Sequence, residues 1–315
     1  MKKLSIVIPV YKVEDYVGQC LQSVFDGGCD ESKYEVIVVN DGTPDKSMDV
    51  VRRVCEGHGN VQIIQQENHG LSAARMTGLA HAEGEYVWFV DSDDWLEAGA
   101  VDSIIRILLL HSGISVLAMP LIWISKSTTR YENDFKDVIA HKGKDLLQEG
   151  YPLSAIQRYI IHRDVFKNKS VYFPRGLIHE DEYFYRTMLY NAPEVLVLES
   201  SFYYYRQREK SIMSSRSIRS CHDVVSVYRL LEGFLNSSVD HQDKKWFKRS
   251  IVSLLLHSYK YSYSITSKKE AEAYRRKYRW YVLRQGLFCY GFSIKERLWI
   301  VSLTLFPILL DTHQR

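Results

Sequence analysis

Asp91-Ser92-Asp93 follows directly on the apolar run Tyr86-Val87-Trp88-Phe89-Val90. Two carboxylates two residues apart, at the mouth of a buried strand, form a compact hard-oxygen site. Such a site suits Mg²⁺ or Mn²⁺ bridging the phosphates of a nucleotide. The same spacing is also ordinary in a solvated turn, so its companions decide its meaning. Polar residues recur at the ends of three earlier apolar runs: Tyr11 and Glu14, Asp41 and Thr43, Asn68 and Gly70. Turn chemistry accounts for any one of these groups. It makes no demand for a metal site beside all of them. A second acidic group, His179-Glu180-Asp181-Glu182, precedes the apolar spacing of Tyr183, Phe184, Met188 and Leu189. Acids at a helix start are favoured by the helix dipole, and a carboxylate there is also a candidate general base.

The elements that must position these residues are legible from periodicity. Ser5–Val10, Tyr34–Val39, Val61–Ile64 and Tyr86–Val90 read as buried strands, while Glu14–Phe25, a segment opened by Pro44 and Asp45, and Leu71–Ala80 read as helices. Strands interleaved with helices predict an α/β fold, with a mostly parallel sheet and right-handed crossovers. In such a sheet the ligand crevice lies beyond the carboxyl ends of the strands, where the polar groups cluster.

Composition narrows the class. The chain has 315 residues, 46% of them hydrophobic and 25% charged, enough for one large domain or a domain with an appendage. Its five cysteines are odd in number and contain no C-x-x-C pair, so they read as reduced thiols without a zinc site. Met1-Lys2-Lys3 before an apolar run superficially resembles an export signal. Lys12, Glu14 and Asp15 break that run, and export is not expected. Residues 201–315 carry 21 Lys and Arg against 9 Asp and Glu, a charge of +12, which leaves −9 on residues 1–200. A basic tail behind an acidic front suggests two jobs.

Residues 3–211 resemble the family 2 glycosyltransferases. The resemblance rests on Ser5-Ile6-Val7-Ile8-Pro9-Val10-Tyr11, Val39-Asn40-Asp41-Gly42-Thr43-Pro44-Asp45, Asn68-His69-Gly70-Leu71-Ser72-Ala73-Ala74-Arg75, Phe89-Val90-Asp91-Ser92-Asp93-Asp94 and His179-Glu180-Asp181-Glu182-Tyr183-Phe184. Asn40-Asp41-Gly42-Thr43 departs mildly from the family's Ser-Asp-Gly-Ser. The Gln-x-x-Arg-Trp motif of processive synthases is absent, and Gln207-Arg208 does not reproduce it. The resemblance implies an inverting enzyme of the Rossmann-like GT-A fold that uses a nucleotide-activated sugar. By it, Pro9, Tyr11 and Glu14 line a base pocket, and Asp41 accepts a hydrogen bond from the uracil imide. Arg75 sits near the phosphates or on the Asp91 side. Asp91 meets the ribose or the metal's outer shell, Ser92 belongs to the nucleotide site, and Asp93 holds Mn²⁺ or Mg²⁺. Asp181 serves as the base with Glu180 in support, and Arg206, Arg208 and Ser211 grip the diphosphate, since guanidinium forks match phosphate oxygens.

Two rival readings fit the sequence less well. A sugar-1-phosphate nucleotidyltransferase needs a Gly-rich basic loop after the first strand, which Val10-Tyr11-Lys12-Val13-Glu14 does not supply. A catalytically inactive nucleotide-binding scaffold is disfavoured by the intact Asp93 and Asp181.

The expected organisation is a catalytic domain over residues 1–215 and a basic helical region over 216–315. In that region Val224–Leu235, Trp246–Tyr263, Ala271–Leu287 and Ile294–Leu310 read as helices. The last places Ile294, Leu298, Val301, Leu305 and Ile308 on one stripe, suited either to lying on a membrane surface or to packing on its own core or a twin subunit. The expected partners are a UDP-sugar and a glycan or lipid-linked acceptor, without nucleic acid. The expected location is cytoplasmic, free or on the cytosolic face of the inner membrane, in surface-polysaccharide assembly.

Overall fold

The computed structural model describes residues 2–125, 128–131, 140–149, 154–207 and 217–305. The chain divides into two compact units. One comprises residues 1–176 and 184–209; the other comprises 177–183 and the chain from Lys210 onward.

The first unit begins with β1 (Leu4–Val10), α1 (Val17–Phe25), β2 (Tyr34–Asp41), α2 (Ser47–Val54), β3 (Val61–Gln66), α3 (Leu71–His81) and β4 (Tyr86–Phe89). These four strands are parallel, in the order β3-β2-β1-β4. Both faces of β1 are buried, which explains its unbroken apolar sequence. Ile6, Ile8 and Val10 enter one core with Val17, Leu21 and Val24 of α1. Val7 points into the opposite core with Ala74 of α3, as the two-residue period of a strand requires. Gly78 lets α3 approach that face, because a Cβ there would lie 2.2 Å from Val7 Cγ1.

Then come β5 (Trp95–Leu96), α4 (Ala100–Leu110), β6 (Val116–Ala118), β7 (Ile122–Ile124), β8 (Thr129–Tyr131), β9 (Ala140–His141), α5 (Gly143–Glu149) and β10 (Tyr159–His162). The unit closes with α6 (Glu180–Tyr190), β11 (Val195–Val197) and β12 (Tyr203–Arg206). The large sheet continues past β4 as β10-β6-β11-β9, and β10 runs antiparallel to both neighbours. A second sheet of four strands, β5-β12-β7-β8, was not evident in the sequence. The sequence predicts a strand over Phe202–Arg206, and β12 forms there; β5, β7 and β8, two to three residues long, are too short to show an apolar period.

Two boundaries move for physical reasons. The helix expected from Glu14 starts at Val17, because Tyr16 at φ −121° lies outside the helical region; before it the Val13 and Glu14 amides donate across the loop to Ser47 Oγ and Asp45 Oδ2. The second strand runs to Asp41, two residues beyond the expected Val39, which places that carboxylate on the sheet's last rung.

The second unit holds the helices α7 (Ile218–Ser238), α8 (Lys244–Tyr261), α9 (Lys268–Leu287) and α10 (Ile294–Leu305), with the first turn of α6. Its core includes Tyr228, Leu231, Ile251, Leu255, Tyr259, Tyr274 and Val282. The Lys248 ammonium donates to Tyr228 and Glu232 of α7 and to Gln285 of α9, so one cation on α8 ties three helices together. All five cysteines are free thiols, four of them buried. Among the described residues no helix is long and apolar enough to cross a membrane.

Candidate active site

Residues 90–94 leave β4 as a turn closed by the Asp94 amide donating to the Asp91 carbonyl at 3.0 Å. Asp91, Asp93 and Asp94 each offer a carboxylate oxygen, and these atoms lie within 4.8 Å of one another. The turn is braced from several sides. Arg75 on α3 donates to Asp91 Oδ1 at 2.8 Å, and the Gln157 amide donates to Asp91 Oδ2. Arg75 is 2% exposed, and its guanidinium lies 5.3 Å from the centre of the Phe173 ring, a cation–π contact shielded from water.

Asp94 is buried in a different way. The Tyr203 hydroxyl donates to its Oδ2 at 2.7 Å and the Arg206 amide to its Oδ1 at 2.8 Å. Burial pushes its carboxyl well above the ordinary range, and the charges of Asp93 and Asp91 push the same way. The Tyr203 hydroxyl also accepts the Asp91 amide at 3.1 Å. Arg206 lies against the turn: its Nε donates to the Asp93 carbonyl at 2.8 Å and its Nη2 to Gln19 Oε1. Its guanidinium stacks 4.4 Å from the Trp95 ring centre.

An all-oxygen set of three carboxylates fits a hard divalent cation. Asp94, 2% exposed and with its charge disfavoured, supports the turn. Asp91 and Asp93 are the half-buried members.

Beside this turn the ends of β1, β2 and β3 are knitted together. Asp41 is 3% exposed and accepts from Gln66 Nε2 at 2.7 Å and from the His69 and Gly70 amides at 2.9 Å each. Gly42, at φ +65°, makes the turn that follows; a Cβ there would sit 3.0 Å from the Asn68 amide nitrogen. Thr43 Oγ1 accepts from the Lys12 amide and donates to Asp45, while Glu14 accepts from the Lys46 amide at 2.8 Å. Partial burial works against ionisation of Asp45. Hydrogen bonds from Ser47 and Thr43 outweigh it and hold the carboxyl below its ordinary value. Pro9 is buried within β1 opposite Val39, and Tyr11 beyond it is 41% exposed. Ser92 is buried. Tyr11, Glu14, Asp41, Arg75, Asp91, Ser92, Asp93 and Arg206 thus all stand at the carboxyl edge of the parallel strands or on the turn beside it. Arg208 and Ser211 lie outside the described residues.

In the second unit Glu180, Asp181 and Glu182 form the first turn of α6, after His179 in the left-handed region at φ +68°. His179 Nε2 meets Ser220 Oγ at 2.6 Å, and the Ile178 amide donates to Asp223 at 3.0 Å. These bonds to α7 fix the entry to the acidic turn. Asp181 Oδ1 accepts the Glu182 amide at 3.0 Å, and all three acids are half-buried.

Gln157 and Tyr203 were not anticipated as parts of the site. Neither carries a local signal. Gln157 precedes β10 and Tyr203 opens β12, and sheet pairing alone delivers them to the Asp91 turn.

A family model described as glycosyl transferase family 2 matches residues 5–167. Glycosyltransferase GlyA of Streptococcus pneumoniae is 29% identical over 219 residues, which is 67% of this chain and 31% of that protein's length. The structure of S. aureus TarS residues 1–349 in complex with UDP superposes with a TM-score of 0.72 at 22% identity, covering 96% of this chain and 86% of that one. A mannosyltransferase from Pyrobaculum calidifontis, solved with GDP-Man and Mn²⁺, has a TM-score of 0.56 at 14% identity, covering 97% and 87%. These likenesses establish the GT-A fold, and the family match spans more than half the sequence. The chain belongs to the family 2 glycosyltransferases.

Proposed function

We propose that this glycosyltransferase is inverting and metal-assisted, and that it moves a sugar from a UDP-sugar to a glycan or lipid-linked glycan in the assembly of a bacterial surface polysaccharide. The observation that carries the reading is the cluster of Asp91, Asp93 and Asp94 at the end of β4. It is supported by the UDP in the TarS structure and the Mn²⁺ in the mannosyltransferase structure.

On this reading Asp93, with Asp91, would hold Mn²⁺ or Mg²⁺, which when bound offsets charge gathering on the departing diphosphate. Arg75 and Gln157 fix the Asp91 carboxylate. Pro9, Tyr11, Glu14 and Asp41 form the base pocket, with Ser92 beside it. The tyrosine face suits stacking, and the carboxylate accepts from the imide. Arg206, with Arg208 and Ser211, takes the diphosphate. Asp181 removes the acceptor hydroxyl's proton, and Glu180 orients that acceptor. Residues 1–215 act as the catalytic domain and 216–315 as a basic helical region. A lipid-linked acceptor would bring the enzyme to the cytosolic membrane face.

The test is a thermal-shift panel of UDP, GDP, dTDP and CMP, each with and without Mn²⁺, followed by hydrolysis of UDP-sugars. A ligand at a hundred times its Kd stabilises by about 2.7 kcal/mol, a readable shift. Mn²⁺-dependent stabilisation by UDP alone supports the donor and metal assignments. A metal-independent shift overturns the metal assignment, and a preference for another nucleotide overturns the donor.

A further inference from the structure

The turn between α9 and α10 and the first turns of α10 carry large apolar side chains that point into solvent. Phe288 is 75% exposed, Tyr290 78%, Ile294 79% and Leu298 65%. Ile294 and Leu298 are one helical turn apart on α10, with half-buried Val301 continuing the stripe. The buried face of α10 is a different one, formed by Ile300, Leu303 and Thr304, and Gly286 of α9 lets Ile300 sit close. The helix is therefore apolar on two sides, and only one side is used within the described fold.

This tip is an ordered feature of the second unit. Ser293 and Glu296 form a reciprocal cap at the start of α10: the Ser293 amide donates to Glu296 at 2.7 Å and the Glu296 amide to Ser293 Oγ at 3.2 Å. Arg249 donates to the Gly291 carbonyl, and Arg297 donates to those of Cys289 and Phe292. Phe292 is buried while Phe288 and Tyr290 face outward, so the loop is pinned with its outward-facing side chains uncovered.

Charge selects the occupant. At this end of the unit Arg284, Lys295 and Arg297, with Lys245 and Arg249 beside Gly291, outnumber the acid Glu296. The Lys245 and Arg249 stems lie beside Gly291 in the tip, and Lys295 lies between the exposed apolar positions of α10. A second copy would bring an equal positive field against this surface and be repelled. An anionic bilayer attracts it, and aromatic and aliphatic side chains flanked by lysines suit the headgroup boundary.

We propose that the α9–α10 tip, led by Phe288, Tyr290, Ile294 and Leu298, inserts shallowly into anionic phospholipid bilayers. It rests on the glycosyltransferase reading only for its use, which is to bring the enzyme to a lipid-linked acceptor.

The experiment is co-sedimentation of the full chain with phosphatidylcholine vesicles, with or without a quarter of phosphatidylglycerol. The wild type should pellet with the anionic vesicles, and binding should weaken on added salt. Ile294→Glu/Leu298→Glu and, separately, Lys245→Glu/Lys295→Glu should each lower the partition coefficient by about tenfold or more, since apolar burial and charge both contribute. Unchanged circular-dichroism melting verifies that the variants fold, and unchanged hydrolysis of a UDP-sugar without vesicles separates a failed surface from a failed catalytic reading. Equal binding to neutral vesicles, or unaltered partition of either variant, overturns the proposal. A concentration-dependent dimer that Ile294→Glu/Leu298→Glu dissolves, without vesicle binding, also overturns it and assigns the surface to a second copy.

Discussion

The Tyr203 hydroxyl donates to the buried Asp94 carboxylate at 2.7 Å and, through the same oxygen, accepts the Asp91 amide at 3.1 Å. One phenol on the second sheet therefore holds both ends of the acidic turn that begins on the first. The geometry of Asp91 and Asp93 depends on a residue more than a hundred positions away. Burial, with the charges of Asp94 and Asp91, also pushes the Tyr203 hydroxyl well above the ordinary tyrosine range, so it stays a donor.

Tyr203→Phe removes that donor and leaves a buried amide and a buried carboxyl short of a partner. Such a loss costs about 1–3 kcal/mol. Urea unfolding should show the destabilisation, and titration with UDP and Mn²⁺ should show weaker binding by the folded variant. Unchanged affinity would mean that the turn keeps its shape without the phenol.

On the proposed roles, with Asp93 holding the cation and Asp181 serving as the base, Asp93→Ala and Asp181→Asn should fail differently. Loss of the cation's ligand should lower transfer by about 10³-fold or more and abolish the Mn²⁺ dependence of UDP binding, as should excess chelator on the wild type. Loss of the base should lower transfer while leaving UDP binding intact, because the proton it removes belongs to the acceptor. Binding titrations paired with single-turnover assays separate the two.

Arg75→Met should be strongly destabilising. It removes one partner of a buried ion pair and leaves the Asp91 charge with less compensation. Such losses run to roughly 3–5 kcal/mol, and the lower end applies because Asp91 keeps some contact with water. Denaturant unfolding of the folded fraction measures it, and a loss below about 1 kcal/mol would show that water and Gln157 suffice.

Asp45 supplies a pH dependence of known sign. Its carboxyl titrates below the ordinary value of 3.8 in the folded chain, so the ionised form is the one favoured by folding. Its contribution is therefore present above pH 3.8 and is lost as pH falls through the lower folded value. Asp45→Asn should be less stable than the wild type at neutral pH, with the gap closing in acid. Parallel stability curves across that range would contradict the assignment.

The sequence by itself determined the alternating strands and helices of the first ninety residues and the sheet edge at which Asp41, Asp91 and Asp93 stand. β1, β2 and β4 lie where their apolar runs place them, because strands buried on both faces leave an unambiguous local pattern; β3, expected to be buried as well, is instead the half-exposed edge strand of the sheet. The tertiary structure decided the rest. It set β10 antiparallel between β4 and β6, built a second sheet around the strand expected at Phe202–Arg206 from others too short to announce themselves, and brought Gln157 and Tyr203 to the Asp91 turn. It also decided which face of α10 is buried. The expected stripe through Ile294 and Leu298 faces outward, and Ile300 and Leu303 pack inward. A helix with two apolar faces gives periodicity no means of choosing between them. Only the neighbours that close approach allows, here Gly286 of α9, make that choice.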